Sequence, residues 1–300
     1  FEVKIKYNIK NINKNWGAII TPQNTKSLDF NYEEVFKHFK KYGVLNFRDF
    51  DLNESNMLEF SGVFTRRFAN PDNRRRKRMG SKFLLEADYW SDLNNRNSMG
   101  LHSEASFSSV WPEIVWFFCN KPSKKGGETT LCDGIQLWKT LPAKLKLYFL
   151  KQPIKYSIEI QLPKIKKNKR RDKQNWITNT LGISGYVDWE ENKAYLEVLR
   201  YAIYKVENLD SYAFANHLLA DNYNEPQIKN ISMASGEDIP DEYIKIIKEK
   251  SLEIVYEHHW KKFDALMIDN KRFMHGRKEF PKKSDRDILT IQTESSSFKN

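Results

Sequence analysis

Cysteine is nearly absent. Cys119 and Cys132 are all that 300 residues carry, too few for a disulfide framework, so a reducing, cytoplasmic setting is the default expectation. Long apolar runs are missing as well: nothing approaches the roughly 18 consecutive apolar residues that a membrane-spanning helix requires. The opening FEVKIKYNIK lacks the apolar core of a signal peptide. Because the first residue is Phe, a leader, tag or initiator Met is expected to be missing ahead of it. No internal repeat is evident.

What is present is an apolar fraction of 40%, enough to bury one substantial core, and a single domain over residues 1–300 is expected. Residues 1–27 are polar and Asn/Lys-rich and read as an edge strand and a loop. Lys and Arg number 50 against 39 acidic residues, a net charge of +11, which favours acidic partners without naming one. Two runs concentrate that charge. Residues 71–78 (PDNRRRKR) carry Arg74, Arg75, Arg76, Lys77 and Arg78, either a solvated face or a docking patch for an anionic partner. Residues 164–173 (KIKKNKRRDK), within a basic insertion at 163–175, read as a disordered surface loop or as a lid over an active site. One reading of the whole chain is therefore a basic, non-catalytic protein that binds nucleic acid or an anionic surface, with salt-sensitive retention on either.

Periodicity places the elements. Val35, Phe36 and Phe39 at helical spacing, followed by Gly43, predict a helix over 31–41, and residues 44–47 a short core strand. A second helix is expected over 53–68 and a long loop over 83–97. The apolar run 114–119 predicts a strand covered on both faces. Gly126 and Gly127 form a turn into a strand over 128–132. Residues 135–150 read as helix interrupted at Pro142, 194–200 as strand, and both 209–220 and 241–257 as helix. The strand over 263–269 turns at Asn270 and Lys271, and 288–293 alternates as a closing strand. A turn at 281–284 joining two antiparallel strands would bring His275 and Arg286 near each other.

The chemistry concentrates in residues 100–133. His102 and Glu104 are two apart, and on an extended strand such a pair points the same way and can grip one ion. Imidazole and carboxylate suit a borderline divalent cation, and two His with one carboxylate leave positions open for reactants. The third ligand must come from elsewhere. His258 and His259 are adjacent and face apart, and His38 and His217 fall within helical patterns, so these four read as packing or surface residues. Cys119 and Cys132 read as buried thiols.

Taken together, LHSEASF, then P-x3-GGET, then IDNKRFMHGR, then Arg286 resemble the TauD/TfdA family of Fe(II)- and 2-oxoglutarate-dependent dioxygenases. Order and spacing agree from about residue 41 to 293, with 27 residues from His102 to Thr129 and 11 from His275 to Arg286. The resemblance implies a mainly β, double-stranded β-helix (jelly roll, cupin-like) with helices outside. It implies that His102, Glu104 and His275 hold the iron, that Arg286 pairs with the distal carboxylate of 2-oxoglutarate, and that the Thr129 hydroxyl supports it. With 2-oxoglutarate filling two metal positions and O2 the last, the implied reaction decarboxylates 2-oxoglutarate to succinate and CO2. It oxidises an unactivated C–H bond, by hydroxylation or else by desaturation, cyclisation or epoxidation.

Two departures from the family pattern refine this. Glu104 stands where many sulfonate- and phenoxyacetate-oxidising members have Asp. That form is similar to clavaminate synthase, the free asparagine and arginine hydroxylases and the syringomycin-type aspartyl hydroxylases of carrier-bound amino acids, whose phrasing the HSE-plus-WP and GGET-x2-CDG segments match most. Thr290 stands where some members carry a second Arg. A carboxylate ligand leaves no halide site, which argues against a halogenase. The expected substrate is a small molecule, an amino acid free or carrier-tethered, with no nucleic-acid partner. Ser98, Phe107 and Trp111 flank the metal motif as candidate pocket residues, and Arg277 would meet a substrate carboxylate or brace the barrel.

Overall fold

The first 60 residues lay one edge of a sheet and its helical cover. The computed structural model describes residues 6–69, 76–88, 97–108, 110–162, 182–220, 227–281 and 284–296. Strand β1 (Tyr7–Asn11) pairs antiparallel with β2 (Ala18–Pro22), so this region holds two strands rather than the single edge strand expected. Helix α1 (Tyr32–Tyr42) follows, with the Asn31 side chain accepting from Glu34 N and Val35, Phe36 and Phe39 buried. It ends at Gly43, whose φ of 72° closes the last turn. A Cβ there would lie 2.5 Å from the Phe273 ring, so only glycine fits on both counts. The next strand, β3 (Val44–Phe47), runs parallel to β2.

The helix expected over 53–68 is only α2 (Met57–Gly62); residues beyond it extend as β4 (Thr65–Phe68), which pairs with the closing strand. Gly62, Val63 and Thr65 are weak helix formers, and an available sheet edge decides the outcome. The loop expected over 83–97 likewise begins as strand. After β5 (Lys77–Arg78), β6 (Ser81–Glu86) forms a hairpin with it and joins the sheet. Arg78, expected in a solvated or docking run, is consumed internally: its guanidinium binds Glu54 at 2.7 Å, Glu86 at 3.0 Å and Asp287 at 3.1 Å. Arg74 and Arg75, and the whole basic insertion 163–175, lie outside the described residues.

The rest of the chain completes two facing sheets and adds two smaller ones. In order come β7 (Met99–His102), β8 (Ile114–Lys121), β9 (Thr129–Asp133), α3 (Gly134–Thr140), α4 (Ala143–Lys151), β10 (Ile154–Gln161), β11 (Ile183–Asp188) and β12 (Lys193–Arg200). Then follow β13 (Ile203–Val206), β14 (Ser211–Phe214), β15 (Ile228–Met233), α5 (Asp241–Leu252), β16 (Tyr256–His258), β17 (Ala265–Asp269), β18 (Phe273–Arg277) and β19 (Asp287–Ser296). The major sheet has the order β1-β2-β3-β17-β8-β19-β6-β5 with β4 also on β19; the minor sheet has the order β16-β9-β18-β7. This is a double-stranded β-helix.

Period-two alternation assigns each face. Along β8, Ile114, Trp116 and Phe118 pack outward beneath α1 and α2, while Val115, Phe117 and Cys119 face the minor sheet. Along β18, Phe273 points into the space between the sheets and Met274 points out, where Leu137, Phe149 and Ile247 of α3, α4 and α5 pack. The third sheet, β11-β12-β10-β15, lies against the same helices. A buried bidentate pair, Arg272 to Asp133 at 2.9 and 2.8 Å, fastens β18 to the end of β9.

Residues 209–220, expected as helix, are β14 and then turns. Tyr212, Ala213 and Phe214 pair with β13. The Asn216 side chain accepts from Leu218 N and donates to Ala202 O, offering the backbone a partner that competes with helix. Among the described residues no helix is long and apolar enough to cross a membrane.

Candidate metal centre and co-substrate pocket

His102 is the last residue of β7, and His275 lies directly opposite it on β18. Neighbouring antiparallel strands thus bring the two rings to a centroid distance of 4.5 Å. His102 Nδ1 lies 2.9 Å from Gly100 O. A carbonyl only accepts, so Nδ1 carries the proton and Nε2 keeps its lone pair for a metal.

Glu104 is not on a strand, contrary to the reasoning that two residues on one extended face would point together. It sits in the turn after β7, next to Ala105 at φ 52°. Its direction comes from Asn270, fully buried in the β17–β18 turn. The Asn270 side chain accepts from Glu104 N at 2.8 Å and donates to Glu104 O at 3.0 Å and Pro112 O at 2.9 Å. The Glu104 carboxylate then divides its oxygens. Oε1 accepts from Gln292 Nε2 at 2.7 Å, while Oε2 lies 3.6 Å from His102 Nε2 and 3.5 Å from His275 Nε2.

Those separations are too long for good hydrogen bonds. They suit donors sharing one cation, since ligands about 2.1 Å from an ion at roughly right or tetrahedral angles lie about 3.0–3.5 Å apart. All three residues are buried, and among the described residues they are the one group of three His, Cys, Asp or Glu side chains so arranged.

Beyond the three ligands a narrow cavity continues, lined by Phe117, Thr129, Arg277, Arg286, Ile288 and Asp88. His275 and Arg286 do not share a hairpin as expected: β18 belongs to the minor sheet and β19 to the major, and the two residues meet across the interior. Arg286 Nε donates to Gly127 O at 3.0 Å. A Cβ at Gly127 would lie 2.8 Å from Arg286 Cδ, so glycine is what permits this approach. Asp88 bridges the two cations, accepting from Arg277 Nη1 at 2.6 Å and from Arg286 Nη1. Burial pulls the Arg286 guanidinium below its ordinary range, and Asp88 opposes this. Thr129 Oγ1 accepts from Trp260 Nε1 at 3.1 Å, which turns its own proton elsewhere.

The structure therefore brings together His102, Glu104, His275, Thr129, Arg277 and Arg286. It places Ser98, Phe107 and Trp111 outside the described lining. Ser98 is exposed at the start of β7. Phe107 packs on His217 at 4.7 Å and faces the outer core. Trp111 donates to Ser103 Oγ behind the Glu104 turn, with the Lys271 ammonium 3.7 Å from its ring. Sequence reasoning missed Asp88, Asn270, Gln292, Trp260 and the position of His217. Only Gln292 had a readable signal, since alternation sets Ile288, Thr290 and Gln292 on one face of β19. His217 touches His102 edge-on at 5.2 Å, and burial, then the neighbouring His102, pull it down to about 3.

A buried two-histidine, one-carboxylate set inside a double-stranded β-helix, with an arginine at the far end of the same cavity, defines a mononuclear non-haem metal oxygenase. The family model for "Taurine catabolism dioxygenase TauD, TfdA family" matches residues 8–292. The chain belongs to this family of iron- and 2-oxoglutarate-dependent dioxygenases, and its triad is positioned for iron.

The dapdiamide synthesis protein DdaC of Enterobacter agglomerans is 21% identical over 283 residues, 84% of each chain. A taurine dioxygenase from Burkholderia xenovorans superposes with a TM-score of 0.65 at 11% identity, covering 96% of this chain and 89% of that one. PvcB of Pseudomonas aeruginosa gives 0.62 at 11% identity, covering 98% and 92%. PvcB is described as an Fe, α-ketoglutarate-dependent oxygenase from an isonitrile synthetic pathway.

Proposed function

We propose that this dioxygenase oxidises, by hydroxylation, an unactivated C–H bond of an amino acid or amino-acid-derived substrate, free or tethered to a carrier protein. The observation that carries the reading is the Glu104-containing triad in one cavity with Arg286. Support for the substrate class comes from the HSE and GGET-x2-CDG segments, which resemble those of amino-acid hydroxylases, and from the likeness to DdaC and PvcB, named for biosynthetic pathways.

In this reading His102 Nε2, His275 Nε2 and Glu104 Oε2 hold the iron, which supplies oxygen activation coupled to decarboxylation of 2-oxoglutarate. Arg286 takes the distal carboxylate through its guanidinium, a planar fork suited to that group. Thr129 donates its hydroxyl proton to the same carboxylate, because Trp260 already occupies the oxygen as donor. Phe117 and Ile288 keep the floor of the cavity apolar, which strengthens the charge pairing and limits water. The basic residues around the chain would steer an acidic carrier protein toward the mouth.

The test is anaerobic titration with Fe(II) and 2-oxoglutarate, watching the visible charge-transfer band of the chelate, in wild type and His102→Ala. The band is expected in wild type alone. Succinate release is then screened with free and carrier-bound amino acids. A wild-type protein that shows the band but releases succinate with none of them would remove the amino-acid assignment.

A further inference from the structure

We infer that Gln292 is a positioning residue for the metal, holding Glu104 as a ligand through one oxygen only. The inference rests on the metal assignment above and concerns a residue that no motif marks. Gln292 is buried on the inner face of β19, and its Nε2 donates to Glu104 Oε1 at 2.7 Å. A carboxylate only accepts, so the amide must present its NH2 there. The other oxygen, Oε2, is the atom that faces both imidazoles at 3.5 and 3.6 Å.

The division has a chemical purpose. A carboxylate free to rotate can ligate through both oxygens, raising the protein's share of the coordination sphere from three positions to four. One position needed by the reactants would then be lost. The Gln292 hydrogen bond occupies Oε1 and prevents this. It also ties the ligand to β19, the strand whose entry carries Arg286, so one strand fixes both the carboxylate ligand and the co-substrate arm. Outer partners of this kind orient ligands and tune the metal.

The experiment uses the full chain, metal-free, with Mn(II) as the probe and Gln292→Leu and Gln292→Glu as variants. Leucine removes the donor at similar size; an ionised glutamate cannot donate and repels Glu104. Mn(II) affinity, measured by calorimetry, is expected to fall about 10- to 100-fold in Gln292→Leu; in Gln292→Glu the added carboxylate also attracts the cation, so that variant is read from its spectrum. The visible spectrum of the Co(II)-loaded protein should also change in band intensity, reporting altered coordination that a loss of stability alone would not produce. If either folded variant binds Mn(II) within about threefold of wild type with an unchanged Co(II) spectrum, the assignment of Gln292 is overturned. Wild-type protein that binds no Mn(II), like His102→Ala, would instead overturn the metal site itself.

Discussion

Replacing Asn270 with alanine should unsettle the metal centre without touching a ligand. The side chain makes hydrogen bonds to Glu104 N, Glu104 O and Pro112 O, at 2.8, 3.0 and 2.9 Å, and the residue is fully buried. Each such bond contributes roughly 0.5–1.5 kcal/mol, and a buried group stripped of its partner costs about 1–3 kcal/mol. Three together give a loss of about 3–5 kcal/mol. With unfolding entropy near 2 cal/mol/K per residue, that corresponds to a fall in Tm of about 5–8 °C for this chain. Glu104 would lose anchors on both sides of its Cα, so Mn(II) affinity should fall at least tenfold as well. Asn270→Asp keeps the acceptor for Glu104 N but sets a charge against two carbonyls, and should cost no less than alanine. Thermal melts of metal-free protein and calorimetry with Mn(II) supply both readings. A variant that melts within about 1 °C of wild type, or binds Mn(II) as tightly, would refute the argument that this amide sets the direction of Glu104.

Two further outcomes follow from buried charge. Asp88→Asn removes the carboxylate that bridges Arg277 and Arg286, which raises the local charge facing a bound carboxylate by one unit. At about 6 Å and an effective dielectric of 20–80 this strengthens binding by about 0.7–2.8 kcal/mol. The dissociation constant for 2-oxoglutarate on Mn(II)-loaded protein should therefore tighten roughly three- to hundredfold, and weakened binding would show that Asp88 orients Arg286 instead. The second concerns acid. Burial holds His217 at about 3 in the fold, against 6.5 when unfolded, and lowers His258 in the same direction. As pH falls below about 6.5 the unfolded chain takes up protons that the fold refuses, so stability is full above that value and drains toward pH 3. His217 alone accounts for a loss of about 2 kcal/mol by pH 5; the pH 7-to-5 difference in unfolding free energy should shrink by that amount in His217→Gln, and an unchanged difference would count against its burial as a neutral imidazole.

Elements were legible where an apolar run is short and continuous, as in residues 114–119, or where a glycine marks an end, as at Gly43. Local rules failed where pairing at long range decided the outcome. Residues 65–68 look helical until β19 offers them an edge, and 211–214 until β13 does. Of the candidate ligands, His102 and Glu104 stood out through spacing and His275 only through the family resemblance, but the geometry that unites them did not. The expected strand face for Glu104 is in fact a turn set by Asn270, 166 residues away, and the expected hairpin between His275 and Arg286 is a meeting of two sheets. Asp88 and Trp260 act only through what folding places beside them, and nothing in their local sequence announces it.

His102 and His275 are 173 residues apart in the chain, and both cysteines are free and buried. An ion held by the triad would thus clasp distant parts of the chain, and removably so. A covalent link closing a loop of that length would restrain the unfolded chain by roughly 5 kcal/mol. A bound metal at a hundredfold excess over its dissociation constant contributes about 2.7 kcal/mol by mass action. Cellular iron supply would then govern how long each copy escapes proteolysis as well as how fast it turns over. Iron starvation should lower the abundance of the protein before its synthesis changes.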